Sequence, residues 1–119
     1  MKIETSELIG PALDWAVAKC EGYGSDVYMR SIDFRFNARG KVSCMFVPVD
    51  RTYVQWSPST NWAQGGPIIA RERIELYRAP LGETEAWLGD EDEDSNYNYW
   101  GPTTLIAAMR AFVASRLGD

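Results

Sequence analysis

The residue types best suited to chemistry lie in two short segments. The first, Ser57 to Ile69, reads Ser-Pro-Ser-Thr-Asn-Trp-Ala-Gln-Gly-Gly-Pro-Ile-Ile. It holds a tryptophan, two carboxamides, several hydroxyls and a Gly-Gly-Pro turn, without strand or helix periodicity, and so predicts a loop that binds a ligand or caps the core. The second, Trp100-Gly101-Pro102-Thr103-Thr104, sets an aromatic ring beside two hydroxyls where a helix is expected to begin. A helix start offers N–H groups and a positive dipole end, which favour an anion. The pattern suits recognition of a small anionic or nucleotide-like ligand. Trp62 and Trp100 would stack on its ring, and Asn61 and Gln64 would read the ring edges. The backbone of Gly65 and Gly66 would approach a phosphate, which Thr103, Thr104 and Arg71 would hold. Arg71 and Arg73 share one face if their segment is extended. These assignments require the two segments to meet in space.

Each feature has a plainer alternative. Gln64-Gly65-Gly66-Pro67 is neither a P-loop nor a dinucleotide fingerprint, since the lysine and the glycine spacing are missing, and a structural turn explains it equally. The threonines would also serve as helix caps, with Trp100 as a hydrophobic staple. Arg71 and Arg73 read as surface charge on an edge strand.

Catalytic classes are narrowed by composition. The chain has no histidine, which removes Ser-His-Asp and Cys-His catalysis and zinc sites with Cys and His ligands. Asp14 and Glu72 lie closest to the distinctive segments, but neither stands in an apolar setting that would raise its pKa. They read as solvated or ion-paired surface charge, and no catalytic residue is assigned. Asp90, Asp92 and Asp94 in Asp90-Glu91-Asp92-Glu93-Asp94 have the spacing of a calcium loop. Such a loop needs glycine where Ser95 stands and glutamate where Gly101 stands. The run is therefore expected to be a solvated loop, and neither a metal nor a cofactor is expected.

The elements that would carry these residues follow from periodicity. Residues 1–7 alternate loosely, as a short edge strand would. Gly10-Pro11 opens a helix, because proline suits the first helical position. Leu13, Ala16, Val17 and Cys20 give it one apolar stripe, and Gly22 ends it. Trp15 falls off that stripe. Ile32, Phe34 and Phe36 alternate with Asp33 and Arg35 as a strand, and Val42 to Val49 and Thr52 to Trp56 read as two more. Another strand follows the loop through Ile74 and Leu76, with Ile69 as a candidate member, and Ala86-Trp87-Leu88 is a weak one. Gly101-Pro102 opens the last helix. Leu105, Ile106, Met109, Phe112 and Val113 form its broad apolar arc, and Ala107, Ala111 and Ala114 line its back, so it is expected to be covered on two sides. The expectation is one α+β domain over residues 1–119, mostly antiparallel sheet with an N-terminal and a C-terminal helix.

Composition bounds the setting. The chain has 119 residues, 45% hydrophobic, with a net charge of -5. An acidic chain does not suit non-specific nucleic-acid binding. No run of apolar residues is long enough for a membrane helix, and the N-terminus lacks a signal-type apolar segment, so a cytoplasmic protein with no membrane partner is expected. Cys20 and Cys44, far apart and without histidine companions, suit free, buried thiols. The five tryptophans exceed what a core of this size needs, at least one or two are expected in it, and exposed aromatics would favour a homodimer.

Two segments together resemble the NinX-like family of small tailed-phage proteins. They are Thr60-Asn61-Trp62-Ala63-Gln64-Gly65-Gly66-Pro67-Ile68-Ile69 and Gly101-Pro102-Thr103-Thr104-Leu105-Ile106-Ala107-Ala108-Met109-Arg110. Thr5-Ser6-Glu7-Leu8 and Leu13-Asp14-Trp15-Ala16-Val17-Ala18 are similar to it too. The resemblance implies a phage gene product in the bacterial host cytoplasm and implies no activity. By analogy with other small phage proteins, two roles are expected. One is a non-enzymatic accessory protein that antagonises host defence by sequestering a nucleotide-like ligand. The other is an acidic inhibitor that mimics nucleic acid and occupies a basic host protein, with Asp90, Asp92 and Asp94 at its tip.

Overall fold

The computed structural model describes residues 4–22, 31–36, 42–47, 54–78, 80, 82–89 and 97–117. Among the described residues, three α-helices and two three-stranded antiparallel sheets give an α+β fold, with helices near both ends as the periodicity predicted. The sequence reading missed one helix and the division of the strands into two sheets.

Helix α1 spans Gly10–Cys20, with Pro11 in its first turn. Leu13, Ala16 and Val17 are buried, and Trp15, off the stripe, stays exposed. Residues 5–7 form a 3-10 turn rather than an edge strand. Glu7 N–H donates to Glu4 O at 2.9 Å and Leu8 N–H to Thr5 O at 3.2 Å. An alternation this short leaves local bonds to decide the backbone.

Strands β1 (Ser31–Phe36), β2 (Val42–Val47) and β3 (Val54–Gln55) pair in that order, with Phe34 opposite Cys44 and Phe46 opposite Val54. This sheet lies against α1. Strands β4 (Glu75–Arg78), β5 (Thr84–Leu88) and β6 (Tyr97–Gly101) form the second sheet. Its register sets Leu76 opposite Ala86 and Ala86 opposite Tyr99. Those three turn inward, while Tyr77, Trp87 and Trp100 remain exposed.

The expected loop over 57–67 is the main correction. Residues Trp62–Glu72 form helix α2, with Pro67 inside it. Ile69 belongs to this helix and not to the following strand. Two glycines and a proline cost a helix roughly 5 kcal/mol in intrinsic propensity, and tertiary packing overrides that. Gly65 lies against Pro58 and Leu105 so closely that a Cβ there would come within 2.4 Å of Pro58 O and 2.7 Å of Leu105 Cδ2. Ile68 is buried beneath it. Arg73 ends α2 in the left-handed conformation at φ 55°, and Ile74 N–H donates to Ile69 O at 3.1 Å.

Helix α3, Thr104–Leu117, is the centre of the molecule. It rests on β5 and β6 on one side and meets α1, α2 and the 3-10 turn on others. Its arc and its alanine back are both buried, from Leu105 to Met109 and from Ala111 to Ala114. One buried cluster joins Leu13 and Val17 of α1, Trp56, Ile68 of α2, Ala86 and Tyr99 of the sheet, and Phe112. Trp56 is the core tryptophan, and its Nε1–H donates to Asp14 O at 2.8 Å. Among the described residues, no helix is long and apolar enough to cross a membrane.

Candidate functional site

Two helix starts converge on one cleft of about 720 Å³. Residues Ser59, Thr60 and Trp62, at the start of α2, form one wall, and Pro102, Thr103 and Thr104, at the start of α3, form another. Leu76, Arg78 and Thr84 of the second sheet form the floor and rim. The sheet register explains why. Arg78 stands opposite Thr84, and Thr84 opposite Gly101, so one row points at the head of α3. Gly101 allows this approach, since a Cβ there would come within 2.7 Å of Ala107 N.

Both helix starts are capped. Asn61 Oδ1 accepts from Ala63 N–H at 2.9 Å. Thr103 Oγ1 accepts from Ile106 N–H at 3.2 Å, and Thr103 O from Ala107 N–H at 3.1 Å. The earliest amides of each helix have no partner within their own helix, and both dipoles present their positive ends to the cleft. The Thr84 and Thr104 hydroxyls lie 3.3 Å apart across it. Arg78 is the one charged side chain among the described lining residues, and its guanidinium makes no ion pair among the described residues. The cleft is thus a positive feature in a chain whose net charge is -5.

Of the nine candidate residues, Trp62, Thr103 and Thr104 line this cleft together. The two segments therefore do meet. Asn61 stands beside Trp62 as the cap of α2. Gln64 and Gly65 hold the structure together instead. Gln64 Nε2 donates to Gln55 O at 2.8 Å, and its Oε1 accepts from Ser57 N–H at 2.7 Å. Gly65 is buried in the contact with Pro58 and Leu105, and Gly66 follows it in mid-helix. The Gly-Gly pair is not a phosphate loop, because helical geometry directs its N–H groups along the helix axis.

Arg71 and Trp100 are not at the cleft. Arg71 lies nine residues along α2 from Trp62, about 14 Å at the rise of an α-helix. It pairs with Glu21 and Glu72, and Arg116 joins Glu72 at 2.5 Å. Trp100 sits on the outward face of β6, beside a separate groove with Glu83 and Arg110, and its carbonyl accepts from Arg110 Nη1 at 2.8 Å. Arg78 is the cation that sequence reasoning missed. The helical reading of Trp62–Glu72, which carries Arg71 away, would have pointed to it. Arg73 lines neither wall of the cleft.

The carboxylates also differ from expectation. Glu72 is ion-paired, as one alternative held. Asp14 is not surface charge: it is 4% exposed, and its Oδ1 accepts from Ser59 N–H at 2.9 Å. Burial raises its pKa, against the lowering effect of its bonds to Ser59. The Ser59 hydroxyl is buried and makes no well-formed hydrogen bond among the described residues, although it lies close enough to Asp14 to favour its anion. This pair ties α1 to the cleft wall. Cys20 is free and half-buried, and burial pushes its thiol up to about 11. The run Asp90 to Asp94 lies outside the described residues.

The fold and cleft define a small α+β protein with a polar cleft between two helix heads. The chain belongs to the family described as Bacteriophage P22, NinX, whose family model matches residues 4–116. A comparison with curated proteins finds no match.

Proposed function

We propose that this phage-family protein binds a small anionic, ring-bearing ligand of nucleotide type in the cleft between the heads of α2 and α3. In the host, such binding would sequester a nucleotide signal and so blunt a defence. One observation carries the reading. Two positive helix ends, two threonine hydroxyls and Arg78, which has no ion pair among the described residues, converge beside the exposed ring of Trp62. Arg78 and the α3 amides would hold the phosphate, and Trp62 would lie against the ring. The described lining has hydroxyls and a guanidinium but no carboxylate, thiol or imidazole. That set suits holding an anion more than moving a proton.

The test is thermal unfolding against a panel of cyclic and linear nucleotides, with inorganic phosphate alongside. A ligand at a hundredfold excess over its Kd stabilises by about 2.7 kcal/mol. Arg78→Ala and Trp62→Ala should remove the shift, while Arg71→Ala and Trp100→Ala should keep it. A panel with no shift overturns the reading, and so does a shift that survives both cleft substitutions.

A further inference from the structure

The outward face of the second sheet is a checkerboard of carboxylates and aromatic rings. In one row, Tyr77 stands opposite Glu85, and Glu85 opposite Trp100. In the next, Glu75 stands opposite Trp87, and Trp87 opposite Asn98. Each carboxylate on this face therefore has an aromatic ring beside it. The opposite face of β5 and β6 is closed by α3, but here Tyr77 is 52%, Trp87 39% and Trp100 43% exposed. Three large aromatics on one uncovered face form a contiguous patch of the kind that marks an interaction surface.

The polar groups on this face are already organised. Trp87 Nε1–H and Asn98 Nδ2, the latter at 3.2 Å, both donate to Glu85 Oε1. Tyr77 O–H donates to Glu75 Oε2 at 2.7 Å. These bonds hold one oxygen of each carboxylate and, among the described residues, leave Glu85 Oε2 and Glu75 Oε1 for an outside donor. A groove of about 550 Å³ runs between them, lined by Glu75, Glu85 and Trp87, with Arg73 at its rim. Two carboxylates against one guanidinium leave the groove negative.

We infer that this face docks a basic protein segment, whose arginine or lysine side chains lie over the Trp87 and Trp100 rings and donate to Glu85 and Glu75. A cation over an aromatic ring with a carboxylate beside it satisfies both attractions at once. A second copy of the chain would set these carboxylates against their own kind across a two-fold axis, and a nucleic acid would bring phosphates to them. The inference does not rest on the ligand cleft, although Tyr77 borders both.

The probe is a fluorescein-labelled hexa-arginine peptide, followed by anisotropy with the intact protein at moderate salt. Binding is expected, and Glu85→Gln or Trp87→Ala should each weaken it roughly fivefold. Trp87→Phe should recover part of the loss, because the ring face returns. Glu7→Gln removes an exposed charge on the 3-10 turn and should leave the affinity unchanged. Unfolding curves of each variant separate lost binding from lost fold. Equal weakening by Glu7→Gln and Glu85→Gln would reduce the effect to net charge and overturn the proposal. Absence of binding overturns it as well. Concentration-dependent sedimentation that Trp87→Ala abolishes would give the face to a second copy instead.

Discussion

Gly65 and Gly66 are chemically identical neighbours in one helix, and the structure requires them to respond oppositely to the same substitution. Alanine is favoured over glycine in a helix by about 1 kcal/mol. At Gly66 nothing opposes that gain, since an added Cβ meets Trp62 Cε3 at 3.8 Å, an ordinary contact. At Gly65 the same atom would come within 2.4 Å of Pro58 O and 2.7 Å of Leu105 Cδ2. The leucine methyl can turn aside, but the carbonyl belongs to backbone that leads into the α2 cap. Overpacking of this kind costs about 1–3 kcal/mol. Contact with backbone places it at the upper end, so Gly65→Ala should be destabilising by about 2 kcal/mol net. For a chain of this length that is a fall in Tm of roughly 8 °C, against a rise of a few degrees for Gly66→Ala. Thermal unfolding followed by circular dichroism reads both. A Gly65→Ala protein that melts at or above the parent would refute the close approach of α2 to the 57–60 turn and α3. That approach sets the width of the cleft, so Gly65→Ala should also weaken any ligand that binds there.

Asp14→Asn tests the buried carboxylate. Its folded pKa is raised above the ordinary 3.8 by burial, so the folded state holds the proton more tightly than the unfolded state. The stability this confers is fully present below pH 3.8 and is lost as pH rises through the folded value. The substituted carboxamide would keep an acceptor for Ser59 N–H without a charge to bury, and Asp14→Asn should therefore flatten that loss; urea unfolding at a series of pH values reads it, and an unchanged slope counts against burial as the cause. Cys20, with its thiol pushed up from 9.0 to about 11, should alkylate roughly a hundredfold more slowly in the folded than in the unfolded protein at pH 8, read by mass spectrometry of its peptide; equal rates would contradict the shift. Arg73→Gly relieves a left-handed residue at φ 55° and should be stabilising by about 0.5–1 kcal/mol; a lower Tm would show that the guanidinium holds the α2 end. Thr103→Ala removes the cap on Ile106 N–H and should be destabilising by about 1 kcal/mol, read by the same melt; no change would mean that water replaces it.

The strongly periodic elements were legible. In α1 the stripe of Leu13, Ala16 and Val17 is buried, and in α3 both the apolar arc and the alanine back are covered. The strands through Ile32, Phe34 and Phe36 and through Leu76 fall where alternation placed them. What was not legible follows from one local conflict. Gly65, Gly66 and Pro67 speak for a turn by propensity, yet they lie within α2 because the fold needs a helix with no side chain where it meets Pro58 and Leu105. A residue chosen for close packing and a residue chosen for flexibility look the same in a sequence. Strand β6 was hidden for a related reason, since Tyr97, Asn98, Tyr99 and Trp100 alternate only when the outward tryptophan is counted as exposed.

That one misreading propagated to the site. A loop over 57–67 leaves Arg71 near Trp62, whereas a helix carries it about 14 Å away into an ion-pair network with Glu21 and Glu72. The helix that removes Arg71 also presents a second dipole to the cleft, so the positive end of α3 is joined by that of α2. The chain then returns through β4, and its last residue, Arg78, stands in the row that faces the head of α3. A cluster expected from one helix head and two tryptophans thus becomes two helix heads, one tryptophan and an arginine with no ion pair among the described residues. Trp100, released from the cleft, falls on the same outward face as Trp87 and Tyr77. The alternation that buries Ala86 and Tyr99 against α3 therefore sets the cleft at the end of the second sheet and an aromatic, acidic face across its back.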